Sequence, residues 1–222
     1  MKSAILWSIE ASAIVFTLAI GVAPGFACGA GKIIFEDKFQ TLDQSWGIAS
    51  DDKSFFVDAG TVVLRPDASY LKWPLSQSDY YGDVNVCAEI NIVDTPSPDQ
   101  TLAGVLFWAA DYDNMYLFNV SSLGTFSVQR RTHGKWLTPI HWTATSSIKQ
   151  GTNQWNELEI QTRGNQATFL INKTQLGQIN GSAPDGGGLV GVVAESPEQG
   201  PATVRIRGFK VLLPAGLKPA SQ

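Results

Sequence analysis

From Lys32 to Pro214 the chain consists of short runs of β-branched and aromatic residues alternating with polar ones, broken by Gly, Asp, Asn, Ser and Pro. A period of two marks strands with one buried face, and no helical period persists beyond two turns. The runs predict strands near 33–36, 54–58, 61–65, 69–73, 83–93, 103–110, 115–121, 125–131, 136–142, 155–163, 166–172, 175–180, 188–195 and 202–213. That many strands is too many for a small immunoglobulin-like unit. It predicts an all-β domain of two antiparallel sheets packed face to face, a jelly-roll sandwich. Asp111-Tyr112-Asp113-Asn114 and Gly164-Asn165 fall between strands and predict tight hairpins, because their central residues tolerate positive φ.

The same alternation sorts side chains into two faces. Val84, Val86, Ala88, Ile90 and Ile92 point inward, which turns Asn85, Cys87, Glu89 and Asn91 outward. Val105, Phe107 and Ala109 point inward and leave Leu106 and Trp108 outside. Tyr116, Phe118 and Val120 join that core, as do Phe126 and Val128, so Asn119, Ser127, Gln129 and Arg131 face out. If the four strands are neighbours, as consecutive strands usually are, Glu89, Asn91, Trp108, Asn119, Gln129 and Arg131 share one solvent face. Trp136, His141 and Trp142 then form its rim. An indole covers the apolar face of a pyranose while amides, a carboxylate and a guanidinium satisfy its hydroxyls, so this face is expected to bind carbohydrate. The plainer alternative is a solvated Glu89–Arg131 ion pair beside a Trp108 half covered by a loop.

The amino terminus adds a cellular address. Residues 1–27 combine Lys2, an apolar run from Ala11 to Val22 and the small residues Pro24, Gly25 and Ala27, which predict a cleaved secretory signal. Glu10 keeps the apolar stretch shorter than the roughly 20 residues a membrane span needs. The chain thus divides into a signal at 1–27, a sandwich domain at 28–213 and a flexible tail at 214–222, with export to the periplasm or beyond. Cys28 follows the cleavage point and has two fates. Gly25-Phe26-Ala27-Cys28 resembles a bacterial lipoprotein box lacking its usual Leu, which would lipidate Cys28 and bring the protein to a membrane. An oxidising compartment would instead permit a disulfide between Cys28 and Cys87.

Composition narrows the function classes. With 44% hydrophobic residues the chain buries a core, which excludes disorder. Sixteen Lys and Arg against 20 Asp and Glu give a net charge of -4, which excludes a nucleic-acid binder. Two Cys and two His are too few for a typical structural zinc site.

Phe35-Glu36-Asp37-Lys38-Phe39 followed by Trp46, then Trp155-Asn156-x-Leu158-x-Ile160, Gly164-Asn165, Phe169-x-Ile171-Asn172 and Leu176-Gly177, resemble the concanavalin A-like lectin and glucanase sandwiches. The nearest flavours are laminin-G-like domains and 3-keto-disaccharide hydrolases, and the resemblance spans residues 33–213. It implies a fold more than an activity. The function it implies first is glycan recognition on one sheet face, without a clear catalytic motif and without a required cofactor. The second is cleavage of a 3-keto glycoside by proton abstraction beside the carbonyl, with Glu89 or Glu195 as base and Arg131 or His141 as polarising donor, residues chosen by their chemistry alone. The third is a laminin-G-like protein interaction surface. Glu89-Ile90-Asn91-Ile92-Val93-Asp94 resembles the Glu-x-Asp-x-x-Glu signature of family 16 glycoside hydrolases but departs at two of its three acids. That argues against retaining hydrolysis, which needs two carboxylates about 5 to 5.5 Å apart. Some members of the superfamily bind calcium, for which Asp111 and Asp113 are the candidates, although both also suit a hairpin turn.

Overall fold

The computed structural model describes residues 28–216. The expected signal at 1–27 and residues 217–222 of the tail lie outside them. Within the described residues the chain forms fifteen strands and one short 3-10 helix, Gln44–Trp46. The major sheet contains β1 (Gly31–Asp37), β2 (Phe55–Asp58), β3 (Thr61–Leu64), β6 (Asn85–Asp94), β11 (Asn156–Arg163), β12 (Gln166–Ile171), β13 (Thr174–Asn180) and β15 (Thr203–Pro214). The minor sheet contains β4 (Leu71–Lys72), β5 (Leu75–Tyr81), β7 (Leu102–Asp111), β8 (Asn114–Val120), β9 (Thr125–Thr132), β10 (Lys135–Ala144) and β14 (Gly188–Glu195). The major sheet runs β13-β12-β11-β6-β15-β3-β2 with β1 on β15, and the minor sheet β10-β9-β8-β7-β14-β4 with β5 on β14. All the pairings are antiparallel.

The two inner faces close over one apolar core, and alternation places most of it correctly. Val84, Val86, Ala88, Ile90 and Ile92 from the β6 segment meet Val105, Phe107, Phe118 and Val128 from the minor sheet. β5 has no counterpart among the predicted strands. Its Ser76-Gln77-Ser78-Asp79 stretch lacks the apolar beat that marks a strand, and it is held by pairing with β14.

The Phe35-to-Trp46 motif has a structural explanation. The Asp37 carboxylate accepts the Phe39 backbone N–H at 2.7 Å and the Trp46 indole N–H at 2.8 Å, pinning Trp46 among Phe39, Phe55 and Phe209. Burial nevertheless pushes the Asp37 carboxyl above its ordinary range, against those two hydrogen bonds.

Cys28 and Cys87 are joined in a disulfide. The sulfur that a lipid would occupy is therefore committed to the bridge. Cys87 faces outward on β6, so the bridge draws the start of the described chain across the major sheet. Gly29 lies so close to Glu159 and Asn85 that any Cβ there would collide with both.

Two expectations about the minor sheet are corrected. β6 and β7 are consecutive but belong to opposite sheets, with the connection containing Pro96 and Pro98 crossing between them. The expected common face of four strands therefore does not exist. Trp108 is not on an outer face either, being 4% exposed and part of the central core. Pairing of β7 with β8 stops at Phe107–Tyr116 and resumes at Asp111–Asn114, so three β7 residues oppose the single Met115. Within this bulge Trp108 adopts φ 46°, which rotates its ring inward beside Phe107 and Tyr116. Alternation inverts past the bulge, and Ala109, expected inside, joins the apolar layer on the outer face.

Candidate functional site

The outer face of the minor sheet is where the structure concentrates unusual side chains. A solvent-facing sheet surface is ordinarily polar. Here Leu102, Leu106, Leu117, Met115, Leu189 and Val193 form a second buried apolar layer with Leu75, against which Leu71 and Trp73 pack. Trp73 comes from beside β4 at one edge of the sheet and Trp136 from β10 at the other. Their ring centroids are nonetheless 5.9 Å apart, so the two indoles bridge over the face between them. Arg131, on β9, lies 5.4 Å from the centroid of each ring and donates to Asp113 at 2.9 Å. Gly191 makes the closure possible: a Cβ there would overlap the Pro74 carbonyl oxygen.

Beyond this clasp the same face opens into a cleft of about 430 Å³. It is lined by Gln129, Leu102, Trp142 and Glu195, by Asp99, Gln100 and Thr101, by Ser196 to Glu198, and by Ser69. Trp142 reaches it because β10 slips in register: His141 and Trp142 both lie opposite Ser127, between the pairs Ile140–Val128 and Thr143–Phe126. Trp142 remains 44% exposed. Asn119 lies on the outer face next to Gly104, where any Cβ would collide with it, and donates from Nδ2 to Oε1 of Gln129 at 3.2 Å. Oδ1 of Asn119 and Oγ of Ser127 are buried with no hydrogen-bond partner among the described residues.

Glu195 ends β14 and lines the cleft. Burial alone pushes its carboxyl above the ordinary glutamate range, since taking the charged form out of water is unfavourable and no donor or cation among the described residues offsets it.

The other expected site residues are dispersed. Glu89 and Asn91 lie on the outer face of the major sheet, across the sandwich from the cleft. Glu89 is bound by Arg207 at 2.6 Å, and that guanidinium stacks 4.2 Å above the Trp155 ring, so the partner expected for Glu89, Arg131, is replaced by a different arginine. Asn119 and Gln129 share the minor-sheet face with Arg131, but Arg131 is engaged by the clasp. Trp136 belongs to the clasp and Trp142 to the cleft, while His141 is exposed on β10 and does not line the cleft. Asp111 accepts the Asp113 backbone N–H at 2.7 Å and the Asn114 amide, the pattern of a closed hairpin turn, and Asp113 holds Arg131. Among the described residues no three His, Cys, Asp or Glu side chains converge in a way that would hold a metal ion. Sequence reasoning missed Trp73, Asp99, Gln100 and Glu198. The only available signal was for Trp73, a tryptophan preceding a proline at the end of an expected strand.

No family model matches the chain, and no curated protein matches it. Solved structures do. The carbohydrate-binding module CBM66 from Bacillus subtilis is similar at TM-score 0.60 and 16% identity, covering 73% of this chain and 92% of that one. The catalytic domain of an endo-1,3-beta-glucanase (laminarinase) from Thermotoga petrophila gives 0.59 at 9% identity, with 84% and 99% covered. An endo-β-galactosidase from Clostridium perfringens that releases GlcNAcα1-4Gal gives 0.60 at 11% identity, with 88% and 66% covered. The fold is therefore the concanavalin A-like jelly roll, a fold that hosts both sugar binding and sugar cleavage.

Proposed function

We propose that the protein is an exported glycan-binding protein whose site is the cleft on the outer face of the minor sheet. The observation that carries this is the exposed Trp142 ring standing beside Gln129 and Glu195 in an open polar cleft. An indole plate takes the C–H face of a sugar ring, and neighbouring amide and carboxylate groups take its hydroxyls. Both parts are needed, because hydroxyls removed from water without partners cost binding energy. The fold's sugar-handling neighbours support the reading, and the Cys28–Cys87 bridge supports export, since such bonds persist outside the reducing cytosol. The test is a glycan array followed by titration of the strongest hit. Trp142→Ala is expected to weaken binding at least about tenfold, equivalent to about 1.4 kcal/mol, with folding stability unchanged. Wild-type affinity in both Trp142→Ala and Gln129→Ala would overturn the assignment, as would an array without a hit.

One observation favours a second reading, glycoside cleavage of the 3-keto type. Glu195 is a cleft carboxyl whose proton affinity is raised by burial, the property a general base working near neutral pH requires. Glu89, with its arginine partner on the other sheet, is no longer the better candidate. Sugar release from a 3-keto glycoside that disappears in Glu195→Gln would establish this activity.

A further inference from the structure

We infer that a second pocket, at the opposite end of the strands from the cleft, binds one neutral sugar ring, with the Trp108 indole N–H as its anchoring donor. The inference goes beyond the cleft assignment and does not depend on it.

The pocket has a volume of about 270 Å³. It opens where Trp108 of β7, Asp83, Asn165 of the β11–β12 turn and the β13–β14 connection at Asp185 come together. β14 starts beside Trp108 at Gly188 and ends in the cleft at Glu195, and its 8 residues, at about 3.3 Å each, put roughly 20 Å between the two sites.

Trp108 supplies the observation that points to a ligand. A buried indole N–H ordinarily finds an acceptor. Trp46 obeys this rule by donating to Asp37 at 2.8 Å. Trp108 is only 4% exposed, yet its N–H has no hydrogen-bond partner among the described residues. Unlike Oδ1 of Asn119 and Oγ of Ser127, this atom is not sealed off, and the pocket is the opening that Trp108 lines. The surrounding chain holds the residue in place: Gly181 and Gly188 approach it so closely that a Cβ on either would collide with it.

The remaining polar groups are fixed but only half used. Oδ1 of Asp83 accepts the Gly164 backbone N–H at 2.6 Å, and Oδ1 of Asn165 accepts that of Ala183 at 3.2 Å. Oδ2 of Asp83, Nδ2 of Asn165 and the Asp185 carboxylate are left without partners among the described residues. The pocket therefore offers N–H donors from Trp108 and Asn165 beside two carboxylate acceptors, and none of its lining residues is Lys, Arg or His. An anion is repelled by the carboxylates and brings them no donor. A cation brings no acceptor for the indole N–H. Each sugar hydroxyl both donates and accepts, so a ring of hydroxyls meets both demands. Pockets for drug-sized ligands begin at about 300 Å³, so this one suits a single ring rather than a chain.

The experiment is two-dimensional NMR of the isotope-labelled protein, following the indole N–H signals during titration with the methyl glycosides of glucose, galactose and mannose. The Trp108 signal is identified by its loss in Trp108→Phe, which keeps a ring in the core. At least one glycoside is expected to move that signal saturably, with a dissociation constant on the order of 1 mM, while tetramethylammonium and acetate leave it in place. Asp185→Ala, a change at an exposed loop residue, is expected to weaken that glycoside about fivefold, as loss of one hydrogen bond to a charged group at a wet site gives. Trp142→Ala is expected to leave the titration unchanged. A Trp108 signal that no glycoside moves would overturn the proposal, as would wild-type affinity in Asp185→Ala or an equal response to either ion. Loss of the response in Trp142→Ala would assign these sugars to the cleft and overturn the second site while leaving the first.

Discussion

Truncating Trp108 to alanine tests how the minor sheet is built, because the two placements of this side chain predict opposite results. An outward indole on a binding face would contribute to ligand affinity and little to stability. The structure instead places it in the core at 4% exposure, in ring contact with Phe107 at 5.3 Å and Tyr116 at 5.4 Å. It also packs so closely against Gly181 that a Cβ there would collide with the ring. A buried Trp removes roughly 200 Å² from water, worth about 5 kcal/mol at 25 cal/mol per Å² as an upper estimate. Alanine leaves a cavity and keeps the strained positive φ, so nothing is regained at the backbone, and the expected loss is about 3–5 kcal/mol. Trp108→Phe retains part of the contact and is expected to fall between. The assay is urea unfolding of the oxidised protein, with the change read from the midpoint at constant slope. Glycan binding by the fraction still folded should match wild type. A loss below about 1 kcal/mol in Trp108→Ala would refute the bulge and the inward rotation it produces.

The remaining predictions concern other parts of the fold. Lys72, Ser54 and the Ser54 backbone N–H lower the Asp52 pKa to about 2, outweighing the opposing effect of burial. A carboxyl lowered in the folded state stabilises above its unfolded pKa of about 4 and loses that contribution as pH falls toward about 2. Asp52→Asn should therefore cost about 1 kcal/mol at neutral pH, because solvent screens the pair, and almost nothing at the acid limit, as seen in urea melts across pH. Gly191→Ala should cost about 1–3 kcal/mol and shift tryptophan fluorescence by lifting the Trp73 segment, since the new Cβ overlaps the Pro74 carbonyl; an unchanged spectrum would contradict the clasp. Reducing the Cys28–Cys87 bond, which spans 59 residues, should destabilise by about 2–4 kcal/mol in paired melts with and without reductant.

The strand content was legible in the chain because a sheet with one buried face requires alternation, and in most strands that requirement appears within the strand itself. Val86, Ala88 and Ile90, or Tyr116, Phe118 and Val120, announce their inward side without reference to anything distant. The signal fails where local and tertiary demands diverge. β5 is polar and is held by its neighbour β14, so its residues carry no apolar period. Trp108 sits in a bulge whose extra residues are set by the pairing of β7 with β8, which a single strand's pattern does not encode.

The candidate site shows the same division. Asn119, Gln129 and Trp142 were readable as outward or rim residues because each lies on a strand with a clear inner face. Alternation distinguishes inside from outside but not one outside from the other, so Glu89 and Asn91 were grouped with residues across the sandwich. By itself the sequence determined an all-β chain, the inner faces of most strands and a net charge of -4. Only the tertiary structure decided which strands share a sheet, brought Trp73 to Trp136 from opposite edges, and left Glu195 in a cleft without a counter-charge among the described residues. Those outcomes depend on contacts between segments far apart in the chain, and such contacts leave no periodic mark in either segment.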